Sequence, residues 1–185
     1  CLIPEHDKPA ARSNIMLTAG ALNELENDYN KSSDVLILIG GPSKHVQWTD
    51  ISEQIKTVCA AYPDRSISIA DSPRTPTNFL VSLGLENEKN ITLLSYKTFS
   101  RADLIASMKQ AAIAWVSMDS VSMVYEALTA GAKVGILELN SIKKSRVANS
   151  IQSLLNQKQV TAFSDWHKTK KLHKAVSFNE SERCA

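Results

Sequence analysis

A run of five aliphatic residues, Val35 to Ile39, constrains the fold of this chain more than any other feature of its sequence. Both faces of the run are apolar, which is typical of a central strand in a parallel sheet that is covered on both sides. The run ends at Gly40-Gly41-Pro42, residues that favour a turn. The sequence therefore predicts a buried parallel strand that leads into a glycine-rich loop.

The same alternation of an apolar run and a helical pattern continues along the chain. Apolar runs predict further strands over residues 67–70, 91–94, 113–116 and 134–137. Apolar residues three and four positions apart predict helices over residues 48–62, 75–83, 104–112, 121–128 and 147–155, with Gly131 placed to end the fourth. Because parallel strands need crossover helices that cover the sheet, this order predicts an α/β chain with a Rossmann-like parallel sheet and helices on both faces.

The strand–helix repeats occupy residues 34–164, and the two ends of the chain differ from them. Residues 1–33 are predicted to be a connector and edge elements, with a strand over 14–17 and a helix over 21–29. Residues 165–185 are predicted to form a basic helix and tail. Because the chain begins at Cys1 rather than Met, we expect it to be part of a longer protein with a further N-terminal domain.

Composition excludes several classes of protein. With 185 residues, 43% of them hydrophobic and 22% charged, the chain is long and apolar enough for a globular domain. Its formal net charge of +2 argues against a dedicated nucleic-acid-binding protein, and no apolar run approaches the roughly 20 residues of a membrane-spanning helix. The cysteines, Cys1, Cys59 and Cys184, form no metal-type cluster, so we expect a cytoplasmic protein without a zinc site or a disulfide scaffold.

The first candidate site is the loop that follows the strand at Val35 to Ile39. Gly40 and Gly41 allow a close approach of backbone to ligand, and amides that enter the next helix can hold a phosphate. Ser43 and Lys44 extend the loop with a hydroxyl and a cation. The spacing is not that of a P-loop, and a tight turn at the end of a strand remains the alternative.

The second candidate site is the loop after the strand at 67–70, where Ser72, Arg74 and Thr75 precede Pro76. Pro76 suits the first turn of a helix, and Thr75 is predicted to cap it. A cation beside a helix start is unfavourable by itself, so an anion shared by Arg74 and the helix amides would remove the conflict. The alternative is that Arg74 points into water.

The third candidate site is the start of the helix predicted over 121–128. Asp119 or Ser120 is a natural N-cap, and Ser122 and Glu126 lie one turn apart on one helix face. A carboxylate in that place could accept hydrogen bonds from two sugar hydroxyls. The alternative is that Glu126 is an ordinary solvated helix residue.

These three segments carry a resemblance to a known family. Gly40 to Lys44, Ser72 to Pro76 and Asp119 to Ala127, the last with an Asp-Ser-Val-Ser-Met-Val motif, resemble the mitochondrial-fission (elongated mitochondria) family. Residues 4–7 and 18–22 resemble that family's segment between its two halves, and the likeness covers roughly residues 2–160. Bacterial members are often labelled as predicted nucleoside-diphosphate-sugar proteins.

The family is similar to glycosyltransferases of the GT-B fold, in which two Rossmann-like domains face each other across a cleft. The resemblance implies that this chain is the C-terminal, nucleotide-sugar-binding half. It also implies that Glu126 binds the donor ribose and that the turn from Ser120 to Met123 lies near the diphosphate. Residues 95–99 depart from the family's expected Asn-Pro-Tyr-like pattern in the loop that would select the base or the sugar.

Two functions therefore remain open. In one, the full-length protein is a metal-independent glycosyltransferase whose catalytic residues come from the other domain, and this chain alone is inactive. In the other, the fold is retained as a non-enzymatic module that binds a protein partner.

Other sequence patterns weigh against alternative activities and cofactors. The sequence has no Gly-x-Ser-x-Gly elbow of a serine hydrolase and no Gly-x-Gly-x-x-Gly fingerprint of a nicotinamide enzyme, so no cofactor is expected. The basic stretch over 167–174 favours either peripheral contact with the inner face of a membrane or a solvated helix face.

Overall fold

A computed structural model gives the fold of the chain. It describes residues 1–4, 10, 12, 14–18, 23, 25, 31–32, 34–44, 46–141, 145–175, 178–179 and 184. The helix predicted over residues 21–29 lies, apart from Asn23 and Leu25, outside the described residues.

The described elements alternate as the apolar pattern predicts. The strands are β1 (Leu2–Pro4), β2 (Met16–Thr18), β3 (Val35–Leu38), β4 (Val46–Gln47), β5 (Ile67–Ala70), β6 (Ile91–Leu94), β7 (Ile113–Ser117), β8 (Lys133–Leu137), β9 (Asn140–Ser141) and β10 (Val160–Ala162). The helices are α1 (Ser52–Ala60), α2 (Phe79–Ser82), α3 (Arg101–Gln110), α4 (Val121–Thr129), α5 (Arg146–Asn156) and α6 (Phe163–Thr169). Strands β5 and β6 have the predicted boundaries.

Six of these strands form one parallel sheet in the order β6-β5-β3-β7-β8-β10. In sequence order, the first strand of this sheet is the central strand β3. Strands β5 and β6 are added on one side of it, and β7 pairs with its other side. In register, Ile37 of β3 lies between Ile69 of β5 and Trp115 of β7. The strand order therefore reverses between β3 and β7, and in open α/β sheets the ligand crevice is expected outside the carboxyl ends of the strands at such a point.

The sheet is covered on both faces, which explains why β3 has no polar side. Val35 and Ile37 belong to a buried cluster completed by α1, α2 and α6. Leu36 and Leu38, which point to the opposite face, belong to a second cluster completed by α3, α4 and α5. The predicted α/β Rossmann-like parallel sheet with helices on both faces is therefore confirmed.

Helix α2 is shorter than the helix predicted over 75–83, and the predicted cap is wrong. The Thr75 hydroxyl donates hydrogen bonds to the carbonyl oxygens of Ile39 and Gly40 instead of capping a helix. Asn78, with a φ of 64°, has a left-handed backbone immediately before the first helical residue. The close contact between loops therefore replaces the first turn of the predicted helix.

Smaller elements also differ from the sequence pattern. Strand β4, which pairs antiparallel with β9, lies between the glycine-rich loop and α1 in the sequence, so Gly40 and Gly41 do not lead directly into a helix. β10 was not predicted because its three residues form too short an apolar run. The predicted N-terminal strand is present as β2, paired in parallel with β1. None of the helices described is long and apolar enough to cross a bilayer.

Candidate functional site

The three candidate loops meet at Asp119, which lies two residues beyond the end of β7. Its side chain is 0% exposed. Oδ2 accepts a hydrogen bond from the Gly41 N–H at 2.9 Å and lies 3.0 Å from Nη2 of Arg74. Oδ1 accepts from the Ser117 hydroxyl at 2.7 Å, and that hydroxyl oxygen accepts from the Gly40 N–H at 2.8 Å. One buried carboxylate therefore joins the loops that follow β3, β5 and β7.

Both glycines of the first loop are required by contacts within this chain. A Cβ atom on Gly40 would lie 2.1 Å from Oδ2 of Asp119. A Cβ atom on Gly41 would lie 1.9 Å from the carbonyl oxygen of Arg74. Their amides donate to Ser117 and Asp119, so the observed role of the two glycines is to let the neighbouring loops approach.

The loop after β5 contacts the loop after β3. The Thr75 hydroxyl donates to the Gly40 carbonyl at 2.5 Å and accepts from the Ser72 N–H at 2.8 Å. Nη1 of Arg74 donates to the carbonyl oxygen of Gly41 at 3.1 Å. Because α2 begins only at Phe79, Arg74 is not beside a helix start, and the predicted conflict with a helix dipole is absent. Asp119 balances its charge instead.

The N-terminus of α4 is open, contrary to the predicted side-chain cap. Ser120 occupies the N-cap position, but its side chain makes no capping hydrogen bond, and the first turn holds no acidic residue. Asp119, the other predicted cap, is occupied by the contacts above. The amides of Val121, Ser122 and Met123 have no acceptor among the described residues, so they can receive an anion.

Glu126 lies one turn further along α4 and forms a two-point ion pair with Arg101, the first residue of α3. Nη2 of Arg101 lies 2.6 Å from Oε1, and Nη1 lies 3.2 Å from Oε2. The Glu126 side chain is only 13% exposed. Each carboxylate oxygen has two lone-pair sites, so one remains on each for a further donor.

The remaining residues predicted for the site are Ser43, Lys44, Ser122 and Met123. Ser43 forms an isolated bridge with Val46, and Lys44 is exposed. Ser122 is also exposed, whereas Met123 is half-buried and packs against the core. In the described part of the chain, no group of three or more His, Cys, Asp or Glu side chains could hold a metal ion.

A cavity of about 340 Å³ lies beside these loops, at the carboxyl ends of β5 and β6. Its lining includes Asp71, Pro73, Thr75, Phe79, Tyr96 and Lys97. Neither Arg74 nor Glu126 lines it. The sequence did not single out Asp71, although its position directly after a predicted strand was a usable signal. It gave no signal for the Arg101–Glu126 pair, whose members are 25 positions apart.

Comparison with known proteins gives the family of the chain. Among curated proteins, none matches the sequence significantly. The family model described as Mitochondrial fission ELM1 matches residues 1–185, which is the whole chain, and confirms the resemblance carried by the three loops. The chain belongs to the mitochondrial fission ELM1 family.

Proposed function

We propose that this chain binds the diphosphate group of a nucleoside-diphosphate sugar at the carboxyl ends of β3 and β7. The observation that carries the proposal is the open N-terminus of α4 at the point where the strand order reverses. Free amides at a helix N-terminus attract phosphate groups, and such crevices are where open α/β sheets bind ligands.

Arg74 supports this location because the described residues do not use all of its guanidinium donors. Of its five N–H donors, the observed contacts engage one with Gly41 and one with Asp119. The side chain is 43% exposed, so the remaining donors can reach a ligand while the ion pair stays intact. Lys44 and the Ser122 hydroxyl add a cation and a donor at the same edge.

The family resemblance assigns the ribose of this ligand to Glu126 and catalysis to a full-length, metal-independent glycosyltransferase with a second domain. The lone-pair sites left free by Arg101 are compatible with that role for Glu126. No residue described here is proposed as a catalytic base.

The test is calorimetric titration of the chain with UDP, GDP, CDP and their sugars. Ser122→Glu places a carboxylate where the diphosphate would lie, and it should also stabilise α4 through the helix dipole. We expect Ser122→Glu to weaken binding by about tenfold or more and Ser122→Gln, of equal size, to weaken it far less. Equal affinities of these two variants, or a wild-type chain that binds none of the diphosphates, would contradict the proposal.

A second function, a protein-binding module without a nucleotide ligand, is favoured by one specific observation. Arg74 and Glu126 each pair with another residue of this chain, and neither lines the neighbouring cavity. The same titration distinguishes the two, because a module of this kind would show no heat of binding and no thermal stabilisation with any of the diphosphates.

A further inference from the structure

The cavity at the carboxyl ends of β5 and β6 contains a carboxylate with an unused oxygen. Asp71 follows β5 directly and is half-buried. Its Oδ1 accepts a hydrogen bond from the Tyr96 N–H at 2.5 Å, which fixes the orientation of the carboxylate. Its Oδ2 has no hydrogen-bond partner among the described residues. Asp71 therefore presents a positioned acceptor, Oδ2, to which no described residue donates.

The same cavity exposes apolar surface that a flat ligand would cover. Among the described residues, the large hydrophobic side chains that are exposed are Met16, Val81 and Tyr96, and the last two both line this cavity. Tyr96 is 42% exposed and Val81 is 65% exposed. Stacking on an aromatic ring is a sequence-tolerant way to bind a nucleic acid base, and the side chains of Asn78 and Lys97 in the lining can hydrogen-bond its edge.

Asp71 is a better ribose acceptor than Glu126 on two grounds. Each oxygen of Glu126 already accepts from Arg101 and keeps one lone-pair site, whereas Oδ2 of Asp71 has no partner among the described residues and keeps both. The position also agrees with a general rule for dinucleotide-binding α/β sheets, in which an acidic residue beyond the glycine-rich first loop accepts hydrogen bonds from a ribose hydroxyl. Here β5 is the second strand of the main sheet, and Asp71 stands at its carboxyl end.

One ligand can reach both places. The midpoint between β3 and β7 is two strand spacings, or about 10 Å, from the midpoint between β5 and β6. An extended nucleoside diphosphate has a comparable length. Arg74 and Thr75 belong to the loop after β5, which lies between the proposed diphosphate site and the cavity. Thr75 contacts Gly40 and also lines the cavity.

We propose that the nucleoside end of the ligand lies in this cavity, with the base against Tyr96 and the ribose hydroxyls on Asp71 rather than on Glu126. The inference rests on the proposed function, because the diphosphate is placed at the start of α4. It adds Asp71, a ribose-binding residue that the family resemblance does not assign, and it names Tyr96 as the base-binding side chain within the loop 95–99.

Two conservative variants separate the candidates for ribose binding. Asp71→Asn can retain an oxygen for the Tyr96 N–H while it replaces the free carboxylate oxygen with a donor. Glu126→Gln makes the matched change at the other candidate. Each is titrated with UDP, GDP and CDP and with their 2′-deoxy counterparts. We expect Asp71→Asn to weaken the tightest ribonucleotide by about tenfold and to abolish its advantage over the deoxy form, and Glu126→Gln to preserve that advantage.

Amide NMR signals give a second measurement that does not depend on a variant. The Tyr96 amide, bonded to Asp71, reports on the cavity, and the Gly41 amide, bonded to Asp119, reports on the crevice. We expect the nucleoside diphosphate to shift both signals. A ligand that shifts Gly41 but not Tyr96, or a ribose preference lost in Glu126→Gln and kept in Asp71→Asn, would overturn the inference and leave the proposed function standing. Diphosphates that shift neither signal would overturn both.

Discussion

Nη2 of Arg74 lies 3.0 Å from Oδ2 of Asp119, a carboxylate that is completely buried at the end of the central strand β7. The pair connects the loop after β5 to the loop after β7 across the end of β3. Asp119 also accepts hydrogen bonds from Gly41 and Ser117. These contacts connect the loops that carry the family motifs, and Arg74 neutralises the Asp119 charge at this edge of the sheet.

Removing the cation from this pair should destabilise the fold. Arg74→Ala leaves the buried Asp119 carboxylate without its counter-charge, and because Arg74 is 43% exposed, water offsets part of the loss. We expect the free energy of unfolding to fall by about 2–3 kcal/mol in urea titrations. In an Asp119→Asn background the same change should cost less, since no charge is left unpaired. Equal costs in the two backgrounds would contradict this account.

The Arg101–Glu126 pair should contribute less to stability than the Arg74–Asp119 pair. Its arginine is 50% exposed and its glutamate 13% exposed, so water screens the attraction more strongly than at Asp119. We expect Arg101→Ala to lower the free energy of unfolding by about 1 kcal/mol or less, measured under the same conditions. A loss as large as that for Arg74→Ala would show that exposure does not separate the two pairs.

The glycine-rich loop should not tolerate a methyl group. In Gly41→Ala the new Cβ atom would overlap the carbonyl group of Arg74, so we expect a loss of about 3 kcal/mol or more in the free energy of unfolding. Gly84→Ala is the matched control. Among the residues that the structure describes, none lies within 4 Å of the new Cβ atom, and only the φ of 66° opposes the substitution, at a cost of about 1–2 kcal/mol. Similar losses in both variants would show that the loop can open.

The Cys59 thiol should react slowly and make stability depend on alkaline pH. Burial raises its pKa from the ordinary 9.0 to about 11. At pH 8 about one molecule in a thousand then carries the Cys59 thiolate, so a thiol reagent should label the exposed Cys1 long before Cys59. Tryptic peptide mapping of the labelled chain measures the two rates.

The stability effect has a definite sign. Between pH 9 and pH 11 the unfolded thiol loses its proton while the folded thiol keeps it, so the unfolded state binds fewer protons and stability falls as the pH rises. Below pH 9, the stabilisation that comes from the protonated Cys59 thiol is fully present. Urea titrations at pH 8 and pH 10 should show a smaller decrease for Cys59→Ala than for the wild type. Identical decreases would mean that Cys59 is not the titrating group.

The sequence alone was sufficient for five of the six strands of the main sheet and for the helices that follow them. Largely apolar segments at 35–39, 67–70 and 91–94 identified strands with nearly correct boundaries. The apolar pattern succeeds best at the central strands β3 and β7, because each must bury both faces, a requirement that is local to each segment. The family was also evident from short motifs in the loops, and the match over the whole chain confirmed it. The ligand roles of the motif residues stay predictions.

Only the tertiary structure decided which side chains meet at the ends of those strands. Gly41 and Asp119 are 78 positions apart, and Asp71 and Tyr96 are 25 apart, so no local pattern relates either pair. The strand order places β3 between β5 and β7, and that order brings the loops within hydrogen-bonding distance. Apolar periodicity specifies what each segment buries, whereas the partners of a loop side chain depend on which strands become neighbours, a property of the assembled sheet.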